Sequence, residues 1–137
     1  MHTSFIHLNS DWNAEPNAPE PLIRLDGQVL RLTFAINAFD NNRFKEGDQV
    51  ELVFSQCWRY RLGSTNDEGW HAGQCRFSGL APRWGEFYEI RGDLLIDRVR
   101  GWRLNGSPPE HSKHFLFYFR DETFECDAAD FAVTLPG

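Results

Sequence analysis

Residues 114–127 read HFLFYFRDETFECD, and the fold turns on how this stretch is read. Phenylalanine takes every second position at Phe115, Phe117 and Phe119, and the same period resumes at Phe124 and Cys126. A two-residue period of this kind marks strands with one buried face. Arg120, Asp121, Glu122 and Thr123 separate the two runs, so the segment is expected to be a hairpin with a tight connection through Asp121 and Glu122. Placing those two residues in the turn sets Phe119 against Phe124, Phe117 against Cys126 and Tyr118 against Glu125. One face then carries Phe115, Phe117, Phe119, Phe124 and Cys126. The other carries His114, Leu116, Tyr118, Glu125 and Asp127, and is expected to face solvent or whatever the protein meets.

The same period recurs outward from this hairpin. Residues 22–25, the turn pair Asp26-Gly27 and residues 28–37 predict a second hairpin, with Leu30, Leu32, Phe34 and Ile36 on one face. From Val50 to Leu62 the alternation is the longest in the chain and predicts a strand, with Gln56 on its otherwise apolar side marking a bulge or a polar pocket. Phe77, residues 87–91 and residues 94–104 look like further strands, residues 4–8 like a short edge strand, and residues 131–135 like a last strand unless 127–132 form a helical turn. Residues 63–73 are rich in turn formers and read as a long surface loop, and Gly106, Pro108 and Pro109 break the chain over 105–110. Residues 9–21 hold Pro16, Pro19 and Pro21, which excludes a helix interior or a central strand and predicts an arm laid over the surface. Many short strands without an amphipathic helix predict a single all-β domain, an antiparallel sandwich or a small barrel.

The chain has 137 residues and a net charge of −6. That length supports one core without disulfide staples. The acidic balance argues against nucleic acid as a partner, no apolar run is long enough for a membrane helix, and no secretion signal opens the chain. A soluble, cytoplasmic protein is expected. Cys57, Cys75 and Cys126 form no C-x-x-C motif, so reduced thiols are the expectation. All bases except Lys45 and Lys113 are arginine, a residue that stacks on aromatic rings and forks onto carboxylates.

Several groups of side chains are candidates for chemistry. His114, Tyr118, Glu125 and Asp127 share a hairpin face and could bind a polar ligand or transfer protons, although a plain solvated face would show the same pattern. His111 and His114 suit zinc or nickel by type, but strand geometry sends positions i and i+3 to opposite faces. Trp70 and His71 on one connection and Trp84, Glu86 and Glu89 on the next could line one end of the fold. Arg59, Arg61, Arg98, Arg100 and Arg103 could form a basic stripe for RNA, without any aromatic RNA-binding motif beside it. No nucleophile elbow and no Gly-rich phosphate loop is present, so neither covalent catalysis nor a nucleotide cofactor is expected.

The runs LGSTNDEGW (62–70), WGEFYE (84–89) and HFLFYFRDETFEC (114–126) resemble those of small uncharacterised bacterial proteins. The resemblance implies a bacterial domain and brings no activity, cofactor or catalytic residue with it. The residues themselves favour a noncatalytic binding or interaction module for a protein or a small polar ligand, with homo-oligomerisation through a sheet edge left open. Its candidate surface comprises Arg59, Arg61, Trp70, His71, Trp84, His114, Tyr118, Glu125 and Asp127. The alternative is a small acid/base enzyme centred on His114, Tyr118 and Glu125.

Overall fold

A computed structural model describes residues 4–39, 43–63, 86–92, 101–119 and 122–136. The strands are β1 (Ser4–His7), β2 (Leu22–Asp26), β3 (Val29–Ala35), β4 (Gln49–Ser55) and β5 (Arg59–Gly63). They continue as β6 (Phe87–Arg91), β7 (Arg103–Leu104), β8 (Lys113–Tyr118), β9 (Thr123–Ala128) and β10 (Asp130–Thr134). One sheet has the order β1-β6-β8-β9-β5-β7 and the other β10-β4-β3-β2, and every pairing is antiparallel. The protein is therefore all-β, and among the described residues the two antiparallel sheets form a sandwich and do not close into a barrel.

The sheets meet through the alternating residues that periodicity singled out. Leu30, Leu32, Phe34 and Ile36 from the shorter sheet are buried, as are Phe115, Phe117, Phe119, Phe124 and Cys126 from the longer one. Phe54 of β4 crosses the seam to meet the rings of Phe115 and Phe124 at centroid separations of 5.2 and 5.6 Å. Phe34 meets Phe117 edge-on at 5.0 Å. The proline-rich stretch lies along β3, where Glu15 N donates to Ala35 O and Ala35 N donates to Pro19 O. Its Trp12 packs against Phe34 and Phe117, so this arm also helps to close the core.

Four expectations are corrected. The run from Val50 to Leu62 is two strands in different sheets, because Gln56 adopts a left-handed backbone (φ 48°) and turns the chain across the sandwich. Cys57 rather than Trp58 then points into the core. In the first hairpin Asp26 pairs with Val29, so the two-residue turn is Gly27-Gln28, with Gly27 supplying the positive φ. In the terminal hairpin Phe117 pairs with Phe124 and Tyr118 with Thr123, two positions from the expected register. A shift of two preserves the facing of every side chain, so the apolar face is as expected. The fourth correction is functional in consequence: the opposite face is buried as well, with Glu125 at 1% and Asp127 at 3% exposure. The last strand forms as β10, and the helical alternative over 127–132 does not.

Candidate functional site

The outer face of the long sheet is divided in two. Toward one end Tyr88, Ile90, Leu116 and Tyr118 make a small apolar cluster with Phe5. Toward the other, register builds a ladder of opposite charges. The central strand β9 carries both acids; β5 sets Arg59 opposite Asp127 and Arg61 opposite Glu125, while β8 sets His114 opposite Asp127. Cross-strand pairs of opposite charge stabilise a sheet, and here they also make burial tolerable.

The contacts run in a chain. Arg59 Nε donates to Asp127 Oδ2 at 2.5 Å, and His114 Nδ1 donates to Asp127 Oδ1 at 2.9 Å. On the far side of the imidazole, Nε2 lies 3.3 Å from Glu125 Oε2, and Glu125 Oε1 lies 3.9 Å from Arg61 Nη1. An imidazole whose two nitrogens both face carboxylates can donate to both only as imidazolium. Burial by itself lowers the pKa of His114, but the hydrogen bonds and charges of Asp127 and Glu125 outweigh it and hold the group at about 8.

Stability should therefore depend on pH. The folded pKa lies above the ordinary 6.5, so the contribution is complete below pH 6.5, declines between 6.5 and about 8, and is absent above that. The span corresponds to about 2 kcal/mol. Urea unfolding at pH 6 and pH 9 is expected to differ by that amount in favour of pH 6, and His114→Gln is expected to remove the difference. A wild-type stability that rises from pH 6 to pH 9 would refute the assignment.

Trp58 and Trp102 sandwich the guanidinium of Arg59, with its carbon 4.5 and 4.4 Å from the ring centroids. Trp102 also meets His114 edge-on at 6.0 Å. Asn105 holds the two tryptophan segments together: its N–H donates to Trp58 O at 2.8 Å and its Nδ2 to Cys57 O at 3.0 Å. Gly106 beside it has φ 93°, and a Cβ there would lie 2.4 Å from Gln28 Nε2, so glycine is required. Trp58 Nε1 donates to Ser112 Oγ at 2.8 Å. Beside this stack opens a cleft of about 510 Å³, its wall including Trp58, Arg59, Arg91, Ser112, Lys113 and His114. A second hollow of about 440 Å³ is lined by Ile23 and Leu25 of one sheet and by Tyr60, Leu62 and Arg103 of the other.

Of the residues expected at a site, Arg59, Arg61, His114, Glu125 and Asp127 come together. Tyr118 shares their face but sits in the apolar cluster. Trp70, His71 and Trp84 lie outside the described residues, as do Phe77, Arg98, Arg100 and Cys75. Arg59 and Arg61 face carboxylates, and Arg103 is exposed on the neighbouring strand β7, paired with Tyr60. Glu86 meets His7 and Asn9, whereas Glu89 meets Arg91, so the two acids serve different contacts. His111 is exposed ahead of β8, while His114 has both nitrogens against carboxylates, so the two do not form a ligand pair. Among the described residues no group of three or more His, Cys, Asp or Glu is arranged to hold a metal.

Trp58, Trp102, Arg91, Ser112 and Lys113 were not singled out from sequence. The signal that could have found two of them is the recurrence of Trp-Arg at 58–59 and 102–103, since arginine stacks readily on indole.

Cys57 and Cys126 are buried and reduced. Burial, with Cys57 and the charges of Asp127 and Glu125 adding to it, pushes the Cys126 thiol well above its ordinary range. Iodoacetamide at pH 8 is expected to leave both unmodified in the native protein and to alkylate them in denaturant, as read by peptide mass mapping. Alkylated Cys126 from the native state would show that the pair is not sealed in the core.

Comparison with family models, curated proteins and solved structures finds no match to this chain.

Proposed function

We propose that the protein is a noncatalytic binding module that takes a small polar ligand in the cleft beside Trp58 and Arg59. The observation that carries this reading is the double engagement of His114. The imidazole offers no lone pair to a substrate proton, because Nδ1 faces Asp127 and Nε2 faces Glu125. The cleft combines an aromatic wall with fixed polar groups, the usual composition of a small-ligand site.

One observation favours the acid/base enzyme. His114 lines the cleft, and a buried Asp127 orients its Nδ1, an arrangement shared with catalytic dyads. The nitrogen that would serve a substrate is nevertheless the one against Glu125, so this reading ranks second.

The experiment is a metabolite screen by two-dimensional amide NMR on the full chain, with the substrate pool followed for turnover. Binding without conversion, with shifts centred on the indole signals of Trp58 and Trp102, is the expected result. Conversion of any bound compound, abolished by His114→Gln, would replace this reading with the enzymatic one. Shifts confined to other surfaces would remove the cleft from consideration.

A further inference from the structure

We propose that the protein pairs with a second copy of itself through the free edge of β2, in the register that sets Arg24 of each chain against Asp26 of the other. The inference is independent of the cleft, which belongs to the long sheet.

β2 is the outermost strand of the short sheet. The two-residue turn at Gly27-Gln28 makes Asp26 and Val29 a hydrogen-bonded pair, and such pairs alternate along an antiparallel ladder. Leu22 and Arg24 therefore bond to β3, while Ile23 and Leu25 turn their N–H and C=O groups outward. Among the described residues neither finds a backbone partner on that side. Edge strands are usually blunted by proline, lysine or a bulge. Residues 22–26 contain neither proline nor lysine, and their pairing with β3 is unbroken. Apolar surface gathers here too: Leu22 is 67% exposed and Leu25 41%, two of the four large apolar side chains that stand exposed among the described residues. A third, Leu104, is on β7, the edge strand across the hollow.

Charge selects the partner. Arg24 sits directly opposite Arg31, which Glu51 already holds at 2.9 Å. Like charges facing each other destabilise a sheet. Arg24 and Asp26 are exposed, and among the described residues neither has an ion-pair partner. An acid on the open side of Arg24 would offset the repulsion, and the strand itself carries one two positions along.

The register follows by elimination. A second β2 running antiparallel must set outward-facing residues against outward-facing ones. Centring the pair on Arg24 opposes two arginines, and centring it on Asp26 opposes two aspartates. Centring it on Ile23 sets Pro21, which has no N–H, against Leu25, and Glu20 against Asp26. Centring it on Leu25 lets the two Leu25 residues exchange a pair of backbone hydrogen bonds and matches Arg24 with Asp26 on both sides. Opposite residues share a face, so the two leucines meet on the side of the hollow and the ion pairs form on the outer side. The ladder is short because the chain turns at Gly27, so the association is weak and set by concentration.

The test follows the full chain by analytical ultracentrifugation from about 10 µM to about 1 mM. A monomer–dimer equilibrium is expected. Arg24→Glu and Asp26→Arg, each alone, bring like charges together and are expected to weaken association about tenfold; an equimolar mixture of the two variants restores the match and is expected to dimerise as the wild type does. Leu25→Cys is expected to crosslink through the introduced thiols under mild oxidation, since paired Cα atoms about 5.5 Å apart suit a disulfide. A chain that stays monomeric throughout this range overturns the proposal and leaves the edge to a strand of another protein. Dimers that persist unchanged in both charge variants overturn it as well, because association then uses a different surface.

Discussion

Asp127→Ala is expected to lower the unfolding free energy by about 3–5 kcal/mol, the usual result of removing one partner from a buried ion pair. Asp127 accepts from two cations at once, Arg59 at 2.5 Å and His114 at 2.9 Å, and is itself 3% exposed. Deleting it leaves a guanidinium between two indoles with no counter-charge and an imidazole with a single carboxylate. The imidazole can escape by losing its proton, but arginine cannot. The variant should therefore lose the decline in stability between pH 6 and pH 9 together with its overall stability. Denaturant titrations at the two pH values measure both effects. A loss below 1 kcal/mol with the pH dependence intact would mean that the cluster is solvated, contrary to its burial.

Phe54→Ala is expected to cost a similar amount, about 3–5 kcal/mol, by a different mechanism. Phe54 is fully buried and touches Phe87, Phe115 and Phe124 across the seam between the sheets. The rings around it belong to three strands of the opposite sheet, so the hole cannot close without moving the sheets together. Here the loss should be the same at pH 6 and pH 9, since no titrating group is touched. Global stabilities of domains are about 5–15 kcal/mol, so either substitution removes a large share. A Phe54→Ala protein within about 1 kcal/mol of wild type would show that the seam repacks, and the jigsaw of rings would lose its role in joining the sheets.

The core was legible because one face of each major strand is apolar at every second position. Leu30, Leu32 and Phe34 show this directly, and so do Phe115 and Phe117. The two-position register error in the terminal hairpin did no harm, because parity alone decides which side a residue faces. Polarity, by contrast, was a poor guide to exposure for His114, Glu125 and Asp127. Each looks wet when its strand is read alone, and each is buried because register brings a matching charge from a neighbouring strand. Nothing local reports that Arg59 will face Asp127, 68 positions away. Gln56 was recognised as an irregularity, yet its left-handed backbone does more than bulge a strand, since it sends the chain to the second sheet. That crossing places Trp58 and Arg59 at the cleft, so the part of the site hardest to foresee hangs on one residue's φ.

The most direct measurement is the protonation state of His114, read from imidazole nitrogen and proton resonances in a pH titration of the labelled protein. The clamp between Asp127 and Glu125 predicts two protonated ring nitrogens at pH 7 and a midpoint of about 8. A neutral imidazole at pH 7, with one nitrogen bare and a midpoint at or below the ordinary histidine value, would contradict it. The cleft would then hold a free base, and the account of a sealed charge ladder beside a binding site would have to be abandoned.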